Sequence, residues 1–220
     1  MQGGCNICKS MNVIHHIKKK IYKKQLLQNE NGNVLSKKIA ILGGETTKDI
    51  KIIMELFLLN YGIKPEFYES EYNQYYEDGM FQNKELEKFG PDIIYICTCI
   101  RNIENFPVPS DSKEMVEEKR QNVINKFYGL WDRLEEKYHA QIIQNNFEYP
   151  FFRLMGNRDA SDYHGRVNFV TILNTAFYEY AQSHDNFFIC DINYISASYG
   201  LDKWADPYYW HMYKYGVAVP

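Results

Sequence analysis

The sequence predicts an α/β domain in three layers, built on a five-stranded, mostly parallel sheet. Two observations carry that prediction. Short apolar runs alternate with segments of helical periodicity all along the chain after residue 36. The first of these runs, Lys37-Lys38-Ile39-Ala40-Ile41-Leu42-Gly43-Gly44, is continuous rather than alternating, which is the pattern of a strand buried on both faces. Strands that alternate with helices form a parallel sheet covered by helices on both sides.

The elements follow in order. After the first strand and its two glycines, Thr46 and Thr47 stand where they can cap a helix. Ile50, Ile53, Met54, Leu56, Phe57 and Leu58 predict that helix over 48–61, with Gly62 as its C-cap. Pro65 to Tyr68 reads as the second strand. Residues 71–83 are polar and tyrosine-rich, a loop or short helix, and Leu86 to Phe89 closes a short helix before Gly90-Pro91. Asp92 to Cys99 (DIIYICTC) is the third strand, followed by a loop with Pro107 and Pro109. Met115, Val116, Val123, Ile124, Phe127, Leu130, Trp131 and Leu134 mark a long helix over 112–138. Gln141 to Gln144 is the fourth strand, 147–166 is irregular, 167–183 is helical, and Phe187 to Asp191 is the fifth strand. Residues 194–215 mix helix and loop and are strongly aromatic.

Residues 1–36 read as a separate basic arm or helix, and 37–220 as the α/β domain. Ile14, Ile17, Ile21 and Leu26 are the apolar marks of the arm, and Lys18, Lys19, Lys20, Lys23 and Lys24 its charge. That charge fits a solvated helical face. The whole chain carries a net charge of −3, which does not favour nucleic acid as a partner. No run of 18 apolar residues is present, so no membrane span is expected. The lysines precede no long apolar stretch, so no signal peptide is expected either. The five cysteines form no even framework, which points to a cytosolic protein with free thiols at Cys97 and Cys99. Cys5 and Cys8, with His15 and His16 after them, make a zinc site conceivable, but a lone C-x-x-C near a terminus is weak support for one. No Walker loop and no Asp-x-Asp occurs, and no cofactor is expected.

In an open parallel sheet, ligands bind at the carboxyl ends of the strands. The residues there are Gly43, Gly44, Glu45, Thr46 and Thr47 after the first strand, and Ile100, Arg101 and Asn102 after the third. Asn145, Asn146, Phe147 and Glu148 follow the fourth, and Asp202, Asp206 and His211 lie near the end. The predicted topology gathers these polar groups from distant segments onto one edge. A surplus of aromatic side chains, 19 Tyr and 13 Phe, serves either a tyrosine-rich core and rim or an aromatic-lined pocket.

The order of elements resembles the SGNH hydrolases, a flavodoxin-like fold, with the glycine turn after the first strand in place of their Gly-Asp-Ser block. The segments KKIAILGGETT, FYESEYNQYYEDGMF, PDIIYICTCIRNI, IIQNNFEYP and DINYISASYGLDKW resemble more specifically the N-terminal domain of FkbH-like proteins of the HAD superfamily, subfamily IIIC. The resemblance covers roughly residues 36–215. It implies a partner HAD-type phosphatase domain, an acyl carrier protein, a small acyl ligand, and a role in loading a glyceryl unit. The departures are informative. Where SGNH hydrolases carry the nucleophilic serine, this chain has Glu45. Their Gly-x-Asn-Asp block falls on Cys99-Ile100-Arg101-Asn102, and their Asp-x-x-His block is replaced by Asp206 and His211, five apart.

Two functions follow as expectations. The first is a degenerate hydrolase fold that binds a ligand, carrier or partner domain without hydrolysis, with Gly43, Gly44, Arg101, Asn145 and Asn146 as ligand contacts. The second is an acyltransferase or esterase with a rearranged site. It would use Thr46 or Thr47 as nucleophile, His211 as base oriented by Asp206, Asn102 with the Gly44 backbone as oxyanion donors, and Glu45 in the serine's place. Cys99 as an alternative nucleophile would suit thioester transfer, but a thiol in a buried strand is expected to be inert. Each reading competes with a plain structural one: the threonines cap a helix, the asparagines satisfy loop backbone, and His211 packs among Trp210 and Met212.

Overall fold

The computed structural model describes residues 35–218. Cys5, Cys8, His15, His16 and the lysine cluster of the arm lie outside the described residues. Among the described residues, the strands β1 (Leu35–Gly43), β2 (Ile63–Glu69), β3 (Ile93–Cys97), β4 (Gln141–Asn145) and β5 (Phe187–Cys190) form one five-stranded sheet in the order β2-β1-β3-β4-β5. The recorded ladders are parallel, with Ile41 opposite Tyr95, Tyr95 opposite Ile143 and Ile143 opposite Phe188. The sheet is wholly parallel where the sequence predicted mostly parallel. Among the described residues each connection between strands runs through at least one helix, and no hairpin reverses a strand.

The chain divides into two compact units. The first includes 35–37 and Lys48–Glu66, hence α1 (Lys48–Asn60) and the start of β2. Gly62 follows α1 at φ 74°, the left-handed conformation that the predicted C-cap requires. The second unit holds Lys38–Thr47 and everything from Phe67 onward. Its helices are α2 (Tyr75–Met80), α3 (Lys84–Phe89), α4 (Lys113–Tyr138), α5 (Arg166–Ser183), α6 (Ile192–Tyr199), α7 (Leu201–Trp204) and α8 (Pro207–Tyr213).

The core of this second unit follows from side-chain alternation. Ala40, Leu42, Ile94, Ile96 and Ile142 join one cluster with Phe127, Leu130, Trp131 and Leu134 of α4 and with Phe169, Val170, Leu173 and Phe177 of α5. The long α4 therefore lies on this face. Aromatic rings fill the middle: Trp131 meets Phe177 edge-on at 4.7 Å and Phe187 at 4.5 Å between centroids. The Trp131 indole N–H donates to Gln144 Oε1 at 3.0 Å, so the one polar atom of a fully buried ring is satisfied. Ser112 caps α4 by accepting from the Met115 amide, and Asn83 caps α3 by accepting from the Glu85 and Leu86 amides.

The third strand ends at Cys97, two residues sooner than predicted. Thr98 and Cys99 leave the ladder, and Ile100–Asn102 forms one turn of 3-10 helix. That early bend brings the polar residues after β3 over the glycine turn of β1.

Candidate functional site

The turn after β1 is built around close backbone approach. Gly43 N–H donates to Ser70 Oγ at 2.8 Å, and Gly44 N–H donates to the Cys97 carbonyl at 2.9 Å. The Asn102 side chain closes the turn from above. Its Nδ2 donates to the Gly44 carbonyl at 2.9 Å and to Asn73 Oδ1 at 3.2 Å, while its Oδ1 accepts from the Cys99 amide at 2.9 Å. A Cβ on Gly44 would stand 2.5 Å from Asn102 Oδ1, so glycine is required there by contact. Asn102 thus lies at the predicted strand edge, with its amide already shared between β1, β3 and the loop at Asn73.

Glu45 turns inward. Its side chain is buried, and Oε1 accepts from the Cys97 thiol at 3.3 Å. Oε2 has no hydrogen-bond partner among the described residues. The Gly216 backbone lies against this carboxylate, close enough that a Cβ at 216 would collide with it. Burial drives the carboxyl from 4.5 up to about 7, against smaller opposing effects of the Cys97 thiol and the Gly216 amide. Gly216 N–H therefore lends Glu45 its field without closing a well-aligned bond to Oε2. Glu148, buried after β4, is likewise raised to about 7 by burial, and the Glu45 charge adds to the effect. Glu148 Oε2 accepts from the Ile100 amide at 3.1 Å, and Arg101 opposes the rise. The Cys97 and Cys99 thiols are both pushed well up by burial, so neither is a ready thiolate.

The two threonines point to different partners. Thr46 Oγ1 donates to the Tyr213 carbonyl at 2.7 Å and its amide to the Lys214 carbonyl at 3.0 Å, which fastens the end of α8 over the β1 turn. Thr47 Oγ1 donates to Glu69 Oε1 at 2.7 Å. His211 is exposed in the last turn of α8, and its imidazole makes no hydrogen bond among the described residues. Asp206 caps the same helix by accepting from the Tyr208 amide at 2.8 Å. Five residues apart on a helix is not a facing pair, because neighbours recur at three and four; Asp206 and His211 accordingly do separate things.

Asn145 and Asn146 end β4 in a buried polar layer. Asn145 Oδ1 accepts from Tyr95 Oη at 2.9 Å and its Nδ2 donates to the Thr98 carbonyl at 3.3 Å. Asn146 Nδ2 donates to Tyr178 Oη and to Asp191 Oδ1, both at 2.7 Å, and its Oδ1 accepts from the Asn193 amide. Arg101 is exposed and lies over the ring of Trp210, 4.9 Å from its centroid. A cleft of about 280 Å³ opens beside Asn102, lined also by Glu104, Lys119, Val123, Lys126 and Phe127. Both lysines in it are paired, Lys119 with Asp111 at 2.6 Å and Lys126 with Glu104 at 2.9 Å.

The edge therefore joins Gly43, Gly44, Glu45, Thr46, Arg101 and Asn102, reaches Asn145 through its Nδ2 bond to Cys97 Sγ at 3.7 Å, and gives Asn146, Asp206 and His211 partners or positions of their own. Sequence reasoning missed Cys97 as the partner of Glu45, Ser70 and Asn73 as supports of the turn, and Trp210, Lys214 and Gly216 as its cover. Asn73 carried a signal in retrospect, since a φ of 58° favours asparagine; the others carried none. Among the described residues no group of three or more His, Cys, Asp and Glu could hold a metal ion, and no helix is long and apolar enough to cross a membrane.

Among solved structures, the N-terminal part of the protein BF1531 from Bacteroides fragilis, containing a phosphatase domain and complexed with Mg, superposes with a TM-score of 0.75 at 20% identity. The match covers 91% of this chain and 52% of that one, so the chain spans about half of that structure. The lipase Lip_vut3 from a goat rumen metagenome aligns with a TM-score of 0.45 at 12% identity, over 72% of this chain and 80% of that one. No curated protein matches. The family model described as FkbH, N-terminal domain, matches residues 38–219, well over half of the chain, and the protein belongs to that family.

Proposed function

We propose that this domain is a non-hydrolytic relative of the SGNH hydrolases. Its sheet edge would hold a small acyl group, delivered on an acyl carrier protein, for a HAD-type phosphatase partner in glyceryl transfer. The observation that carries this reading is Glu45. By the resemblance of its glycine turn it stands where SGNH hydrolases carry the serine nucleophile, and its carboxylate is buried against the Cys97 thiol instead of facing an approaching carbonyl. The hydroxyls next to it donate to the Tyr213 carbonyl and the Glu69 carboxylate, so neither meets the His211 base that the rearranged hydrolase site requires. The phosphatase domain named for the Bacteroides fragilis protein supports a phosphatase partner by analogy, and the family membership supports the carrier.

The test is a pair of measurements on the purified chain. Cleavage of p-nitrophenyl acetate and of an acyl-carrier thioester is expected at the same background rate in the wild type, Thr46→Ala and His211→Ala, while acylated carrier protein is retained on the immobilised domain. Turnover that disappears in both variants would replace this reading with the rearranged acyltransferase built on Thr46, His211 and Asp206.

A further inference from the structure

Arg101 and Lys214 come from segments more than a hundred residues apart in the chain and converge on one ring. Arg101 Cζ lies 4.9 Å and Lys214 Nζ 5.7 Å from the centroid of Trp210. Neither makes an ion pair with a carboxylate among the described residues, whereas Lys119, Lys126, Lys137 and Arg158 all do. Both are held from behind by backbone. Arg101 sits in the 3-10 turn that Asn102 pins through the Cys99 amide and Glu148 pins through the Ile100 amide. Lys214 takes a left-handed φ of 58° and gives its carbonyl to the Thr46 amide. Two cations are thus fixed, neither in an ion-pair contact though the buried Glu148 carboxyl acts on Arg101, beside the β1 glycine turn at the carboxyl edge of the sheet.

We propose that Arg101 and Lys214, held on Trp210, receive the phosphate group of a phosphate ester. A planar guanidinium offers paired N–H donors to phosphate oxygens, and an ammonium adds a second point charge. Two separated cations match a dianion better than a carboxylate, which one guanidinium satisfies. The phosphate has two possible sources, a small phosphorylated metabolite, which presents a monoester dianion, or the 4′-phosphopantetheine arm of a carrier, which presents a phosphodiester monoanion. The inference rests on the reading of this edge as the ligand-binding edge, and it is tested separately from that reading.

Calorimetric titration of the chain with inorganic phosphate, β-glycerophosphate, pantetheine and 4′-phosphopantetheine tests it. Saturable binding of phosphate and of both esters is expected, weakened about tenfold by Arg101→Ala and by Lys214→Ala and weakened by added salt. Lys84→Ala, on α3, is the matched control and leaves binding unchanged. Binding of 4′-phosphopantetheine well above β-glycerophosphate assigns the carrier arm, and equal binding assigns a small metabolite. No saturable phosphate binding, equal binding by all variants, or pantetheine binding as tightly as its phosphate overturns the proposal. Carrier capture by a wild-type chain that binds no phosphate sinks the phosphate site and leaves the acyl-binding reading standing. Phosphate binding without carrier capture does the reverse.

Discussion

The carboxylate of Glu45 accepts a hydrogen bond from the Cys97 thiol at 3.3 Å, inside the layer that joins β1 to β3. A weak donor is all that faces Oε1, and Oε2 has none among the described residues. This is why burial dominates and lifts the carboxyl to about 7.

A pH dependence of stability follows. With the folded value about 7 against 4.5 unfolded, the folded state holds the proton more tightly. The associated stability is fully present below pH 4.5 and is lost as pH rises to about 7. Glu45→Gln removes that loss and is expected to be more stable than wild type at pH 8 by on the order of 1–3 kcal/mol. The gain should shrink toward zero at pH 4.5. Urea unfolding across this range measures it, and a variant equally destabilised at all pH values would count against a buried neutral carboxyl.

The Asn102 amide ties the two strand ends. Asn102→Ala strands the Gly44 carbonyl and the Cys99 amide, and is expected to cost about 2–3 kcal/mol. Gly44→Ala forces a Cβ against Asn102 Oδ1 and is expected to cost about 1–3 kcal/mol. Because both act through one contact, the double variant should fall well short of the sum in a denaturant-melt cycle.

His164 links two loops at the same edge. Its Nδ1 meets Asp162 Oδ1 and its Nε2 meets the Asp111 carbonyl, each at 2.9 Å. The Asp111 carbonyl raises its pKa first, and the Asp162 carboxylate adds to that. Arg158 pairs with Asp162 and Lys119 with Asp111, which completes the local charges. A raised folded pKa for histidine gives stability that is present below its ordinary value of 6.5 and fades as pH rises through the folded value. His164→Gln should therefore lower Tm more at pH 6 than at pH 8.5. A Tm difference independent of pH would remove the protonated histidine from the account.

Trp131 couples the aromatic core to the polar layer. Trp131→Phe opens a cavity and leaves Gln144 Oε1 without its indole donor. A loss of about 2–4 kcal/mol is expected in chemical denaturation. Trp131→Phe combined with Gln144→Leu should recover part of it, since an apolar partner no longer needs the bond.

The strands and long helices were legible because their signals are local. Continuous apolar runs marked β1 and β3, and the spacing of Val116, Val123, Phe127, Leu130, Trp131 and Leu134 marked α4 within a residue of its ends. The glycines after β1 and the asparagines after β3 and β4 were legible as strand-end residues, since alternation of strands and helices already determines which edge they share. Only the tertiary structure decided what each of them faces. Glu45 meets Cys97 because strand register sets Gly43 opposite Cys97, and register is a property of paired strands, not of either one. Thr46 meets Tyr213, and Arg101 meets Trp210, through contacts across more than a hundred residues, whereas Lys214 reaches Trp210 from only four residues along the chain. Sequence spacing carries no trace of such meetings, because packing brings those side chains together and no local preference does.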